Sequence, residues 1–136
     1  IKDSKNRKLK IEELISKFEL DAVRKVEAKF LSGGMKRRLV ISMSLLGDPE
    51  ILLMDEPLAA LDPQTIQMLQ NIIIRLQSEY NLTILITDHQ ARDLLVVCDR
   101  AVILSNTKIV AEGTPNQLMQ NENATKYYFG SNFKFK

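Results

Sequence analysis

A chain of 136 residues with 45% hydrophobic and 26% charged side chains suits one globular domain of ordinary composition. Nineteen basic against seventeen acidic side chains leave a net charge of +2, which directs the chain to neither nucleic acid nor a strongly acidic partner. A single cysteine, Cys98, excludes an internal disulfide framework and fits a reducing compartment. The longest apolar runs, such as Ile51–Met54, are too short for a bilayer span, and no secretory signal pattern is present.

In chain order, Lys2, Lys5, Arg7, Lys8 and Lys10 crowd the first ten positions and predict a solvated basic end. Ile11, Leu14, Ile15 and Phe18 follow helical spacing, and Leu20 to Phe30 reads as a second, more charged helical stretch. "LSGGMKRR", Leu31 to Arg38, places two glycines at a helix start. Ser32 is placed to cap that helix. The backbone N–H groups of Gly33 and Gly34, unobstructed by side chains and aided by the helix dipole, form a natural anion site. An ordinary capped loop-to-helix junction has the same pattern. The helix runs from Met35 to Leu46, with Leu39, Met43 and Leu46 on one face, and Gly47-Asp48-Pro49 ends it.

"ILLMDEP", from Ile51, is an apolar run stopping at two acids and a proline, which predicts a strand buried on both faces. Asp62-Pro63 opens another helix, with Ile66, Leu69, Ile72, Ile73 and Leu76 at its period. "LTILITDH" is a second buried strand, and Ala91 to Val97 a short helix. "AVILSNTKIVAEG" reads as a hairpin around an Asn-Thr turn. A last helix starts near Thr114-Pro115, and "YYFGSNFKF" closes the chain.

Strands alternating with helices predict an α/β layered fold with a mostly parallel sheet, whose ligands sit at the carboxyl ends of the strands. Both predicted buried strands deliver polar groups there: Asp55 and Glu56 from one, Asp88 and His89 from the other. A carboxylate at the tip of a buried strand suits magnesium, and a second acid beside it suits a water-orienting or general-base role. A helix cap or surface turn would also use such acids. His89, the sole histidine, is placed either to donate a hydrogen bond to a phosphate or to serve structurally. Asp62 caps its helix under either reading.

The order "LSGGM", "ILLMDEP", "LAALD" and a histidine after "ILITD" resembles the ATP-binding-cassette ATPases, clearly over residues 11–113. In that family these are the signature motif, the Walker B strand, the D-loop and the switch histidine. The resemblance implies that Ser32, Gly33 and Gly34 meet the γ-phosphate of ATP held by a partner subunit. It implies that Asp55 serves Mg2+, Glu56 the hydrolytic water, His89 the γ-phosphate, and that Asp62 works across a dimer interface. Met35 departs from the usual glutamine or glutamate. The expected organisation is the end of a helical subdomain in residues 1–30, the catalytic core in 31–113, and a carboxyl-terminal helix and tail in 114–136.

No glycine precedes Gly33, and no Gly-Lys pair occurs, so the sequence contains no G-x-x-x-x-G-K phosphate cradle. This chain alone is therefore expected neither to bind ATP tightly nor to hydrolyse it. The start at Ile1 rather than methionine adds the expectation that it is the carboxyl-terminal half of a longer ATPase. "VVCDRAVILSNTKIVAEGTPNQLM" followed by "YYFGSNFKF" is similar to the lipopolysaccharide-export ATPase group. Residues Ser131 to Lys136 separate it from branched-chain amino-acid importers, the alternative. The implied partners are a second ATPase subunit and transmembrane permease subunits, without nucleic acid, on the cytoplasmic face of the inner membrane. Other readings are a soluble cassette protein of DNA repair or translation, and a non-catalytic remnant of a broken gene.

Overall fold

The computed structural model describes residues 4–129, and these fall into two units divided between Thr87 and Asp88. Residues of the amino-terminal unit begin with helix α1, Ser4–Lys17, so the basic segment from Lys5 to Lys10 is helical and largely exposed. Leu14 and Phe18 are buried, whereas Ile11 lies at the surface. Glu19, in the left-handed region at φ +53°, turns the chain away, and the Leu20 amide donates back to the Ile15 carbonyl.

Leu20 to Phe30 is not the second helical stretch that the sequence predicts. Only two single 3-10 turns form, Asp21–Val23 and Ala28–Phe30, neither with a buried residue. Val26 and Phe30 stand exposed, so no buried face supports a helix there and intrinsic propensity alone does not sustain one.

Helix α2, Gly33–Ser44, starts at the two glycines, but its buried positions are Ile41 and Ser42, followed by Leu45 in the next turn. Met43, predicted on the inner face, is 59% exposed. Arg38 explains part of this rotation: its guanidinium donates to the Phe18 and Glu19 carbonyls left open at the end of α1. An ion pair with Glu19 at 3.1 Å holds it there.

Strands β1, Ile51–Asp55, and β2, Thr83–Thr87, form a parallel pair in the register Ile51↔Thr83 to Asp55↔Thr87. They are one-sided rather than buried on both faces. Leu52 and Met54 are buried, while Ile51, Leu53 and Leu85 are exposed, because among the described residues nothing covers that face. Between the strands runs α3, Pro63–Tyr80, capped by Asp62, begun by Pro63 and ended at the left-handed Asn81. Its inner stripe is Ile66, Leu69, Ile73 and Leu76, as its period predicts, with Ile72 only half-buried. Complete burial of Leu69 alone contributes about 2 kcal/mol.

In the carboxyl-terminal unit, α4, Ala91–Leu95, leads to the antiparallel hairpin of β3, Ala101–Ser105, and β4, Lys108–Gly113. Asn106 and Thr107 turn it with φ of +48° and +62°, the left-handed pair that a two-residue hairpin loop demands. Thr114 then caps α5, Pro115–Met119, in a reciprocal capping box with Gln117. A core of Leu95, Ile103, Ala111, Leu118 and Ala124 holds this unit together, with Phe129 packed against it. Ser131 to Lys136, on which the preference for lipid export rests in the sequence, lies outside the described residues. No helix among the described residues is long and apolar enough to cross a membrane.

Candidate functional site

Ser32 has an extended backbone, and its hydroxyl accepts the Met35 amide at 3.2 Å. That cap leaves the first amides of α2, from Gly33 and Gly34, beyond the reach of any intrahelical carbonyl. The two glycines are not equivalent. A Cβ on Gly33 would meet only Leu61 at ordinary contact, 3.6 Å, whereas one on Gly34 would fall 2.7 Å from Cγ2 of Thr65. Gly34 is thus glycine because α2 and the start of α3 approach too closely for a side chain.

Thr65 has a second task. Its amide and hydroxyl both donate to Asp62, at 3.0 and 2.6 Å. The hydroxyl bond, followed by the backbone one, holds the Asp62 carboxyl below its ordinary pKa. Asp62 is therefore a helix cap, exposed at the start of α3.

Asp55 ends β1 in register with Thr87 at the end of β2, and the Thr87 hydroxyl donates to the Asp55 carboxylate. The next residue, Glu56, is left-handed at φ +46°, an uncommon and costly backbone state for a residue with a side chain. Two bonds stabilise it: its amide donates to the Thr87 carbonyl at 2.7 Å, and its carbonyl accepts from Arg37 of α2 at 3.0 Å. The chain thus leaves its strand geometry between the two adjacent acids. Both are exposed. Among the described residues no cluster of three or more His, Cys, Asp or Glu side chains is arranged to hold a metal ion by itself. The Asp55 carboxylate, beside the Thr87 hydroxyl, is a hard oxygen donor of the kind that would hold magnesium.

His89 belongs to the carboxyl-terminal unit. Its side chain is 67% exposed, with Nδ1 3.9 Å from Oδ1 of Asp88, whose own side chain is fully covered. Asp88 also accepts the Gln90 amide at 2.9 Å, and the Tyr128 hydroxyl donates to the His89 carbonyl at 2.9 Å.

Sequence reasoning missed four supporting residues: Arg37, Thr65, Thr87 and Tyr128. Only Thr87 carried a signal, since it closes the second apolar run just as Asp55 closes the first. The others depend on which helices and segments meet.

A parallel strand pair delivering acids at its carboxyl end, together with a glycine-started helix, is part of an α/β architecture whose ligands sit at the carboxyl ends of the strands. Residues 2–59 match the family described as ABC transporter. The lipopolysaccharide export system ATP-binding protein LptB of Haemophilus influenzae is 41% identical over 128 residues, covering 94% of this chain and 53% of that protein. Its Escherichia coli K12 counterpart is 38% identical over 122 residues, 90% of this chain and 50% of that protein. The fold matches a solved ATP-binding cassette of an ABC transporter in its ADP conformation, with a TM-score of 0.83 at 24% identity over 96% of this chain and 53% of that one. It also matches cbiO1 from Clostridium perfringens, at TM-score 0.81 and 21% identity over 93% and 51%. The chain thus matches the ABC transporter family over its first part and is similar, over most of its length, to ATP-binding proteins of ABC transporters. It spans about half the length of the curated relatives it matches.

Proposed function

We propose that this chain carries the phosphate-sensing and water-activating half of an ATPase that powers an ABC transporter, with lipopolysaccharide as its cargo. The observation that carries the reading is the acid pair at one strand end: the Thr87 hydroxyl donates to the Asp55 carboxylate, while the left-handed Glu56 is held through its backbone by Thr87 and Arg37.

In this reading Asp55 is the protein's ligand to Mg2+, which when bound neutralises phosphate charge. Glu56, exposed at the residue after the strand end, orients and deprotonates the attacking water. Gly33 and Gly34 offer amides, and Ser32 a hydroxyl, to the terminal phosphate of ATP bound on a second subunit. His89 senses a γ-phosphate of ATP, and Asp62 works across the interface with the partner subunit. The phosphate cradle and its lysine, absent from these 136 residues, come from the remainder of a cassette. Such a protein sits on the cytoplasmic face of the inner membrane against its permease.

Lipopolysaccharide is favoured as cargo by the 41% identity to the Haemophilus influenzae export protein. The test supplies the missing half of a cassette in trans. Magnesium-dependent ATP hydrolysis on mixing, stimulated by lipopolysaccharide in the presence of the permease, is the expected result. Hydrolysis stimulated by a branched-chain amino acid instead moves the cargo to that class. The absence of both binding and turnover overturns the reading.

A further inference from the structure

The imidazole of His89 is 67% exposed and is carried on the backbone of the Asp88–Gln90 turn. That backbone is held from two sides. From within the turn, the covered Asp88 carboxylate accepts the Gln90 amide at 2.9 Å. From a segment 39 residues further on, the Tyr128 hydroxyl donates to the His89 carbonyl at 2.9 Å, with the Asp88 carbonyl at 3.4 Å. Tyr128 is itself located by Phe129, whose ring it meets edge to face at 5.8 Å and 81° and which packs on the unit's core.

Resting on the role given to His89 above, we propose that Tyr128 is a positioning residue that holds the Asp88–Gln90 turn and thereby presents the histidine. Only a tyrosine ring with its proton does this: phenylalanine keeps the packing and loses the donor. Partial burial and the Asp88 charge raise the phenol's pKa, so the donor persists through the physiological range.

The test is Tyr128→Phe in the full 136-residue chain, read by amide hydrogen exchange and by the carbonyl carbon shift of His89, unambiguous because the chain has one histidine. Loss of one hydrogen bond is expected to speed Gln90 exchange about fivefold and shift the His89 carbonyl resonance, leaving Ile103 and Ala111 unchanged. Unchanged exchange and shift overturn the proposal, as does equal acceleration in the hairpin, which marks general loosening. In the unaltered chain, the His89 carbonyl resonance is expected to move as pH passes through the tyrosine range; a flat response overturns the proposal without any substitution. In the complete ATPase, Tyr128→Phe is expected to lower kcat more than it alters KM for ATP, and an unchanged kcat overturns it. Turnover of His89→Ala tests the histidine's own role, so that failure is separable from failure of the anchor.

Discussion

Gly34 and Thr65 join the two helices of the candidate site at a distance that no side chain on residue 34 can share. A Cβ there would lie 2.7 Å from Cγ2 of the threonine whose hydroxyl holds Asp62 at 2.6 Å. The start of α2 therefore packs so closely on the residue that holds Asp62 that residue 34 has no room for a side chain.

Substitution at the two glycines separates space from chemistry. Gly34→Ala forces Thr65 to move and is expected to destabilise the chain by about 1–2 kcal/mol, read by denaturant unfolding. Gly33→Ala meets only an ordinary contact and is expected to change stability by no more than about 0.5 kcal/mol. In the complete ATPase both are expected to weaken nucleotide-dependent subunit association.

Asp62 gives a pH signature. Its folded pKa lies below the ordinary value because Thr65 donates to the charged form. Its contribution is therefore fully present above the unfolded carboxylate pKa of about 3.9 and lost as pH falls through the lower folded value. Asp62→Ala is expected to lower the melting temperature at pH 7, and the difference from the unaltered chain is expected to vanish in acid. A difference independent of pH would contradict the cap.

Leu53 and Leu85 face each other across the parallel pair and are 71% and 61% exposed. Such a bare apolar strand face favours association. In the 136-residue chain, Leu53→Lys is expected to change stability within about 0.5 kcal/mol while reducing light scattering at high concentration.

Thr107 occupies a left-handed turn position at φ +62°, which β-branched residues resist. Thr107→Gly is expected to stabilise the hairpin by about 0.5 kcal/mol, measured as a rise in midpoint denaturant concentration.

The sequence made the local signals legible. Asp62-Pro63, Ser32-Gly33 and Thr114-Pro115 start helices where their cap chemistry demands, and Asn106-Thr107 turns the hairpin. Signals that depend on packing were not legible. Ile51 and Leu53 look as apolar as Leu52 and Met54, and only the presence or absence of a covering layer separates them. Leu20 to Phe30 has helix-forming residues without a docking stripe, so the chain turns instead. In the candidate site, the acids could be found from their position after an apolar run. Arg37, which holds the Glu56 carbonyl, could not, because a surface arginine on a helix has no local mark of its partner.

The most direct measurement is magnesium-dependent ATP turnover of a complete cassette containing these residues, compared with its Glu56→Gln variant. A general base at this position contributes roughly 100-fold or more, so turnover is expected to fall by at least that factor while ATP still binds. Turnover within twofold of the unaltered protein would contradict the assignment of Glu56, and with it the division of labour between the two acids at the end of β1.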